Sequence, residues 1–246
     1  MSSDTFRFKQ FTIRQSASAM KVGTDSIILG SWVNLTGSEQ RILDAGAGTG
    51  QLALMMGQRT PAARIDAVEI EPGAAQEAVF NVNQSPWADR INITADSFQN
   101  FAAAHSDSEK YDLIISNPPY FIGSPTGHLR ASSVQRIAAR HAELLPYDEL
   151  IDGVLKLLSP EGRFAAIFPY QESGVFIAKA AIRGLFCNRV LEIVPKPGRP
   201  VKRIAAEFSR HKDKPVAETL IIANEDKDFD FTEQYRNLTS DFYLYF

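Results

Sequence analysis

Cysteine is almost absent: Cys187 is the only one in 246 residues. One thiol can form neither an intrachain disulfide nor a cysteine cluster for zinc, and a reduced, cytosolic compartment fits that best. The opening MSSDTFRFKQ lacks the basic stretch and apolar run of a signal peptide. No segment approaches the ~20 apolar residues of a membrane span. Internal repeats, low-complexity tracts and Pro/Gly/Ser linkers are missing too. Nor is there a surplus of positive charge. The net charge is −3 and the pI near 5.9, which announces no nucleic-acid binder, although a local basic patch is enough to contact phosphate. These absences predict a soluble, cytoplasmic protein without membrane association, and they leave its oligomeric state open, a monomer being compatible.

Two nucleotide signatures are absent as well. LDAGAGTG places glycines at 46, 48 and 50. The third comes one residue too early for the dinucleotide fingerprint G-x-G-x-x-G, and the chain has no G-x-x-x-x-G-K-[ST] phosphate loop. The expected cofactor is therefore neither NAD nor ATP.

What is present reads as a globular α/β chain, with 44% hydrophobic and 22% charged residues, enough apolar side chains for a core. TFRFKQFTI alternates as a half-buried strand or hairpin would, and TDSIILGSWV follows with helical spacing and Thr24 or Asp25 as N-cap. From Arg41 the pattern becomes strand, glycine loop, helix, strand, helix: RILDAG, QLALMMGQR, ARIDAVEI, EPGAAQEAVFNVNQS, INITAD and YDLIIS. YDELIDGVLKLLSPEG reads as a helix that ends before Pro160. RFAAIFP, NRVLEIVP, RIAAEFSR and ETLIIAN are strand candidates, with a helix over SGVFIAKAAIRGL. Such units build a mainly parallel sheet covered by helices on both faces. The late strands, with no full helix between them, predict an antiparallel pairing at the sheet's edge. Residues 1–40 read as an N-terminal extension, hairpin plus helix, packed on a core formed by 41–246.

The strand ends carry the chemistry. Gly46, Gly48 and Gly50 let the backbone turn tightly and approach a ligand closely. Asp44 ahead of them suits a cofactor with a positive end, such as the ammonium of an amino-acid moiety. Glu69, ending the second strand, can accept both hydrogen bonds of a ribose diol. Asp96, in TADSF, can accept from an adenine amino group, with Phe98 as an apolar neighbour. Behind YDLIIS comes Asn117-Pro118-Pro119-Tyr120. The Asn117 side-chain carbonyl and the Pro118 backbone carbonyl can accept the two protons of a planar amine, whose delocalised lone pair makes it a poor nucleophile. Those bonds favour a pyramidal nitrogen, through positioning and electrostatics. The prolines stiffen the loop, and Tyr120, with Phe121 beside it, offers a face for a flipped-out base. The chemistry calls for no metal ion and no general base. His128 and His141 read as surface or capping residues, and Cys187 as a small buried one.

ILDAGAGTG, VEIE, TADSF and SNPPY in this order resemble the class I S-adenosylmethionine-dependent methyltransferases. The resemblance implies a Rossmann-like, doubly wound, mostly parallel seven-stranded sheet with helices on both faces and an antiparallel edge strand. It also implies S-adenosylmethionine held by Asp44, Gly46, Gly48 and Gly50, its ribose by Glu69, and its adenine near Asp96, Ser97 and Phe98. In methyltransferases of similar sequence the Asn-Pro-Pro-Tyr motif marks transfer to a planar nitrogen: adenine N6, cytosine N4, guanine N2 or a protein glutamine amide. MKVGTDSIILGSW, SNPPYF and the C-terminal YRNLTSDFYLYF together resemble the bacterial tRNA(Val) adenine-N6 methyltransferases, which implies an adenine of tRNA as acceptor. It also implies a place near the cofactor for Lys21, Thr24 and Asp25. N2-guanine methylation of ribosomal RNA is the alternative within enzymes, and a non-catalytic RNA-binding module the alternative outside them. For RNA contact the candidates are Lys196, Arg199, Lys202 and Arg203 in PKPGRPVKR, Arg210, His211, Lys212 and Lys214 in SRHKDK, and Arg130, Arg136 and Arg140 after the proline motif, all expected beside the strand ends.

Overall fold

The computed structural model describes residues 4–18, 21–107, 110–119, 145–224 and 230–246. The readings that fall on Tyr120, Phe121, His128, Arg130, Arg136, Arg140 and His141 lie outside the described residues.

The N-terminal alternation is a hairpin, β1 (Thr5–Arg7) paired antiparallel with β2 (Thr12–Arg14), and α1 (Thr24–Trp32) follows. From there the chain alternates: β3 (Arg41–Ala45), α2 (Gln51–Arg59), β4 (Arg64–Glu69), α3 (Pro72–Asn83), β5 (Ile91–Ala95), α4 (Phe98–Ala104) and β6 (Tyr111–Ser116). Then come α5 (Tyr147–Leu157), β7 (Leu158–Pro169), α6 (Tyr170–Ile182), β8 (Phe186–Val194), β9 (Arg203–Ser209), β10 (Val216–Ile221) and α7 (Glu233–Thr239).

The strands are apolar on both sides because both sides are covered. Ile42, Leu113, Ile115, Ala165 and Ile167 face one core, built with the hairpin, α1, α2 and α7. Their neighbours Leu43, Ile114, Phe164, Ala166 and Phe168 face the other, built with α4, α5 and α6. The order across the sheet is β10-β8-β9-β7-β6-β3-β4-β5. β3 pairs in parallel with β4 on one side and β6 on the other, so the chain reverses its direction of growth there. A crevice opens above the sheet at such a point.

Several expectations need correction. The main sheet has eight strands, not seven, because ETLIIAN adds β10 parallel to β8. The antiparallel strand is β9, which pairs antiparallel with both β7 and β8, so it lies inside the sheet, with β8 between it and the edge strand β10. The helix read as running to Pro160 stops at Leu157. The SPEG segment is an irregularity inside β7, opposite the register shift between Tyr111 and Leu113. Gly162 is needed there, since a Cβ would fall 2.7 Å from the Tyr111 carbonyl. Neither Thr24 nor Asp25 caps α1: Gly23 holds that position without a side-chain bond. Helix α4, not foreseen, is short and capped by Ser97. Cys187 is half-buried, and burial pushes its thiol up to about 11.

The two ends of the described chain meet. Phe8 stacks on Phe11 and meets Phe242 edge-on, while Lys9 N donates to the Phe242 carbonyl. Opposite, α4 and α5 cross at Gly153, where an added Cβ would lie 2.4 Å from Cε1 of the buried Phe98. Gly153→Ala gains about 1 kcal/mol of helix propensity but overpacks a buried ring at a cost of about 1–3 kcal/mol. Thermal unfolding should show a melting temperature lowered by about 3 °C; an unchanged or raised value would mean the two helices separate freely.

Candidate cofactor and active site

The ends of β3, β4, β5 and β6 meet around two adjoining cavities. One is lined by Gly46, Gly48, Glu69, Asp96, Phe98, Asn117 and Pro119, together with Ser18, Ile70, Glu71 and Leu145. The other is lined by Lys21, Thr24, Asp25 and Ser26, again with Gly46, Gly48 and Asn117. The glycine loop and Asn117 are thus walls of both. Both border the switch point, because one follows β3 and the other follows the neighbouring β6.

The loop's backbone is satisfied from β4. Gly46 N and Ala47 N both donate to the Val68 carbonyl, and Gly48 N donates to Glu69 Oε2 at 2.7 Å. Gly46 and Gly48 have φ of 80° and 54°, and a Cβ on either would meet nothing within 4 Å. They keep open a space that a ligand can enter and a backbone that other residues adopt at a cost. Gly50 differs: its Cβ would sit 3.4 Å from that of Ala78, so it lets α2 and α3 approach.

Glu69 is 6% exposed and its other oxygen accepts from Glu71 N. Each carboxylate oxygen has two lone-pair sites, so both retain capacity for a further donor from the cavity. Glu71 caps α3, accepting from Gly73 N and Ala74 N. Asp96 accepts from Ser97 N and Asn100 Nδ2 through one oxygen.

Asp44 is placed differently from the expectation. It is fully buried and absent from both cavity walls, lying behind the loop with Oδ2 accepting from Ala53 N at 3.0 Å. Its Oδ1 has no partner among the described residues. Burial pushes its carboxyl up to about 7; the Ala53 bond opposes this and the nearby charge of Glu69 adds to it. Ser97 is likewise no wall residue: its hydroxyl caps α4 by accepting from Asn100 N.

Asn117 stands where β6 ends, held by a bond that the sequence did not signal: Nδ2 donates to Ser26 Oγ at 2.9 Å. Ser26, in the first turn of α1, lies 91 residues away in the chain, and although it falls within MKVGTDSIILGSW, only Lys21, Thr24 and Asp25 of that stretch were singled out. Ser18 and Leu145, which lie in no motif, and Ile70 and Glu71, neighbours of Glu69 in VEIE, were not singled out either.

The basic residues separate. Arg203, opposite Pro169 at the site edge, is committed to Asp25 through a 2.8 Å ion pair, so two residues expected to serve different ligands hold each other. Lys196 is half-buried, while Arg199 and Lys202 are exposed, all on the turn between β8 and β9 at the same edge. Tyr170, 52% exposed, joins them through its N–H to the Lys202 carbonyl. The SRHKDK segment lies at the other end of the sheet, contrary to expectation. It follows Ser209, which pairs with Arg163 and Phe186 near the beginnings of their parallel strands. Arg210 is spent there on the carbonyls of Leu155 and Leu158.

Residues 16–150 match the family model of the methyltransferase small domain. A protein of Trichodesmium erythraeum named tRNA1(Val) (adenine(37)-N6)-methyltransferase is 42% identical over 246 residues, covering 99% of each chain. One of Bacteroides fragilis with the same name is 42% identical over 244 residues, again covering 99% of each. Among solved structures, a protein of Agrobacterium tumefaciens described as a predicted O-methyltransferase aligns with a TM-score of 0.67 at 19% identity, over 89% of this chain and 96% of its own. That likeness is one of fold.

The raised Asp44 carboxyl has a measurable consequence. Between its unfolded value of about 4 and its folded value of about 7, the folded chain keeps a proton that the unfolded chain has lost. Asp44 therefore makes stability fall as pH rises through that window and leaves it flat above. Asp44→Asn, equal in size, removes the slope. The melting temperature of the wild type minus that of the variant should decline from about pH 5 to about pH 8; a constant difference would place the carboxylate at its ordinary value.

Proposed function

The chain belongs to the methyltransferase small-domain family, and from that premise we propose that it transfers a methyl group from S-adenosylmethionine to the N6 amine of an adenine in tRNA. The target taken from its relatives' names is adenine 37 of tRNA1(Val). The observation that carries the reading is the position of Asn117, between the two cavities at the switch point. N2-guanine methylation of ribosomal RNA and a non-catalytic RNA-binding role are not favoured, since the full-length relatives share the adenine-N6 name.

The cavities fit the cofactor: the open cradle over Gly46 and Gly48 admits it, and Glu69 and Asp96 offer acceptors in its wall. When bound, S-adenosylmethionine supplies an electrophilic methyl group on a cationic sulfur. Glu69 accepts from the ribose hydroxyls and Asp96 from the adenine amino group, with Phe98 and Ile70 as apolar walls. Lys21, Thr24 and Asp25 border the second cavity and hold the amino-acid end. Asp44 acts from behind the loop, its charge favouring a cation in front.

In this reading Asn117 Oδ1 and the Pro118 carbonyl accept the two N–H groups of the target amine, and Ser26 holds the amide by its Nδ2. The bonds draw the nitrogen out of conjugation, so its lone pair could form the new N–C bond as the donor's S–CH3 bond broke, with that electron pair left on a neutral thioether sulfur; one proton of the resulting cationic amine would then leave to water. The work is positioning and electrostatics, and the site needs no base. Pro118 and Pro119 limit the loop's freedom, and Tyr120 and Phe121 stack on the base. Lys196, Arg199 and Lys202 meet the RNA backbone beside the site, joined by Arg130, while Arg203 serves through Asp25. No helix among the described residues is long and apolar enough to cross a membrane, and no metal-ligand cluster occurs among them. Action on tRNA in the cytoplasm completes the proposal.

Asn117→Ala should lower kcat on tRNA by about 100-fold or more, the scale of losing a preorganised electrostatic contact, with cofactor affinity within about threefold of wild type. Ser26→Ala should lower kcat by about tenfold, as the amide loses its orientation. Nucleoside mass spectrometry of tRNA from a strain lacking the gene should show loss of N6-methyladenosine. Loss of N2-methylguanosine from ribosomal RNA instead would favour the alternative.

A further inference from the structure

Residues 14–18 leave the hairpin and run along α3 to the first cavity. Two buried side chains of α3, one helical turn apart, receive them. Asn81, 1% exposed, accepts from Arg14 N at 2.8 Å and donates to the Arg14 carbonyl at 2.9 Å. Its Nδ2 also donates to the Thr49 carbonyl at 3.0 Å, inside the glycine loop. Glu77, 4% exposed, takes three consecutive backbone donors: Ser16 N and Ala17 N on Oε1, and Ser18 N on Oε2 at 2.9 Å. The Ser16 hydroxyl adds a fourth bond.

This is a costly way to hold a loop. A buried carboxylate must be compensated by donors, and its nearest cation, Arg14 Nε, stands 3.7 Å away. Burial raises the Glu77 carboxyl, but the N–H groups of Ala17, Ser18 and Ser16 and the Ser16 hydroxyl outweigh it and hold the group below its ordinary value. What the strap delivers explains the expense. Its last residue, Ser18, is a wall of the first cavity. Gln15 Oε1 accepts from Val22 N, and the Gln15 carbonyl accepts from Lys21 Nζ, so the strap also sets Lys21 on the wall of the second.

We propose that Glu77 and Asn81 are positioning residues for cofactor binding, fixing the 14–18 strap so that Ser18 walls the first cavity and Gln15 holds Lys21 on the wall of the second, and tying the strap to the glycine loop. The inference rests on the cavity's reading as the methyl donor's site. Neither residue touches the reacting atoms, so the effect belongs to affinity and not to chemistry. The bonds named for the strap all come from the chain itself, which spares the cofactor the entropy of ordering it.

Titration calorimetry with S-adenosylhomocysteine as the probe, alongside steady-state kinetics on tRNA, tests this. Glu77→Gln, which keeps one acceptor oxygen but turns an NH2 against backbone donors, should weaken probe binding by about tenfold. It should raise the KM for the methyl donor by a similar factor, with kcat within about twofold. Asn81→Ala should behave alike. Unchanged affinity in Glu77→Gln overturns the inference while the methyltransferase reading stands; a fall in kcat with affinity unchanged overturns it too. A wild type that binds no probe removes the cavity's reading and the inference together. Hydrogen exchange on the wild type covers the case in which the variants do not fold. The Ser16, Ala17 and Ser18 amides should be protected before ligand is added, and free exchange at these positions overturns the proposal.

Discussion

Strand β3 is hydrogen-bonded to β4 on one side and to β6 on the other. Everything at the site descends from that reversal. Were the sheet to grow in one direction only, each crossover would cover the strand end before it. Here the chain leaves β3 for β4 and β5, then returns to lay β6 on β3's free side, so among the described residues no connection crosses the space between their ends. Two loops from distant stretches of sequence are thereby set next to each other: the glycine loop after β3 and the Asn-Pro-Pro loop after β6. Their separation is fixed by one backbone spacing, and Ser116 Oγ on the Ala45 carbonyl at 2.6 Å adds a lateral tie at that level.

The crevice is also electrostatically prepared. Asp44 and Glu69 lie on paired strands, and both are buried. Glu69 is supplied with loop N–H donors; Asp44 keeps one oxygen unpartnered among the described residues, and its carboxyl is raised to about 7. Two such groups repel when both ionise, and a cation in front of the loop relieves both the repulsion and the cost of burial. A sulfonium carrying an ammonium has the required sign. The site therefore holds a deficit of positive charge that the proposed methyl donor makes up. The chain's own cations near the second cavity are engaged: Arg203 by Asp25, and Lys21 by the Gln15 carbonyl.

What could be read from the sequence was local. Glycines forced to positive φ, an acid ending a strand, and two prolines behind an apolar run carry their meaning within a few residues, and the structure sets Gly46, Gly48, Glu69, Asp96, Phe98 and Asn117 around one cavity. The alternation of strand and helix likewise foretold the sheet. What failed depended on register and topology. Nothing in RIAAEFSR says that it inserts antiparallel between β7 and β8, and that insertion sends SRHKDK to the far end of the sheet. Nothing in TDSIILG says that Ser26 meets Asn117 or that Asp25 meets Arg203. That Asp44 sits behind the loop has a subtler cause: side chains alternate along a strand, and the position facing α2 rather than the crevice follows from where the helix packs.

The N-terminal extension shows how far the site reaches beyond its motifs. The hairpin's Phe8 and Phe11 are buried against Phe242 and Trp87, so the segment is anchored at one end by aromatic packing. Its other end is polar, gathered onto Glu77 and Asn81 of α3, and its continuation supplies α1. An apolar anchor alone would leave residues 14–18 free to slide along the helix, since burial is not directional. Hydrogen bonds from three successive amides to one carboxylate admit a single register, because each donor is spent only when strap and helix are aligned. Gln15 of the strap also binds Val22 and Lys21 just ahead of α1, whose first turn reaches Asn117 through Ser26. The extension thus contributes to both halves of the crevice: Ser18 in the wall of the first cavity, and the Ser26 hydroxyl that accepts from the Asn117 amide.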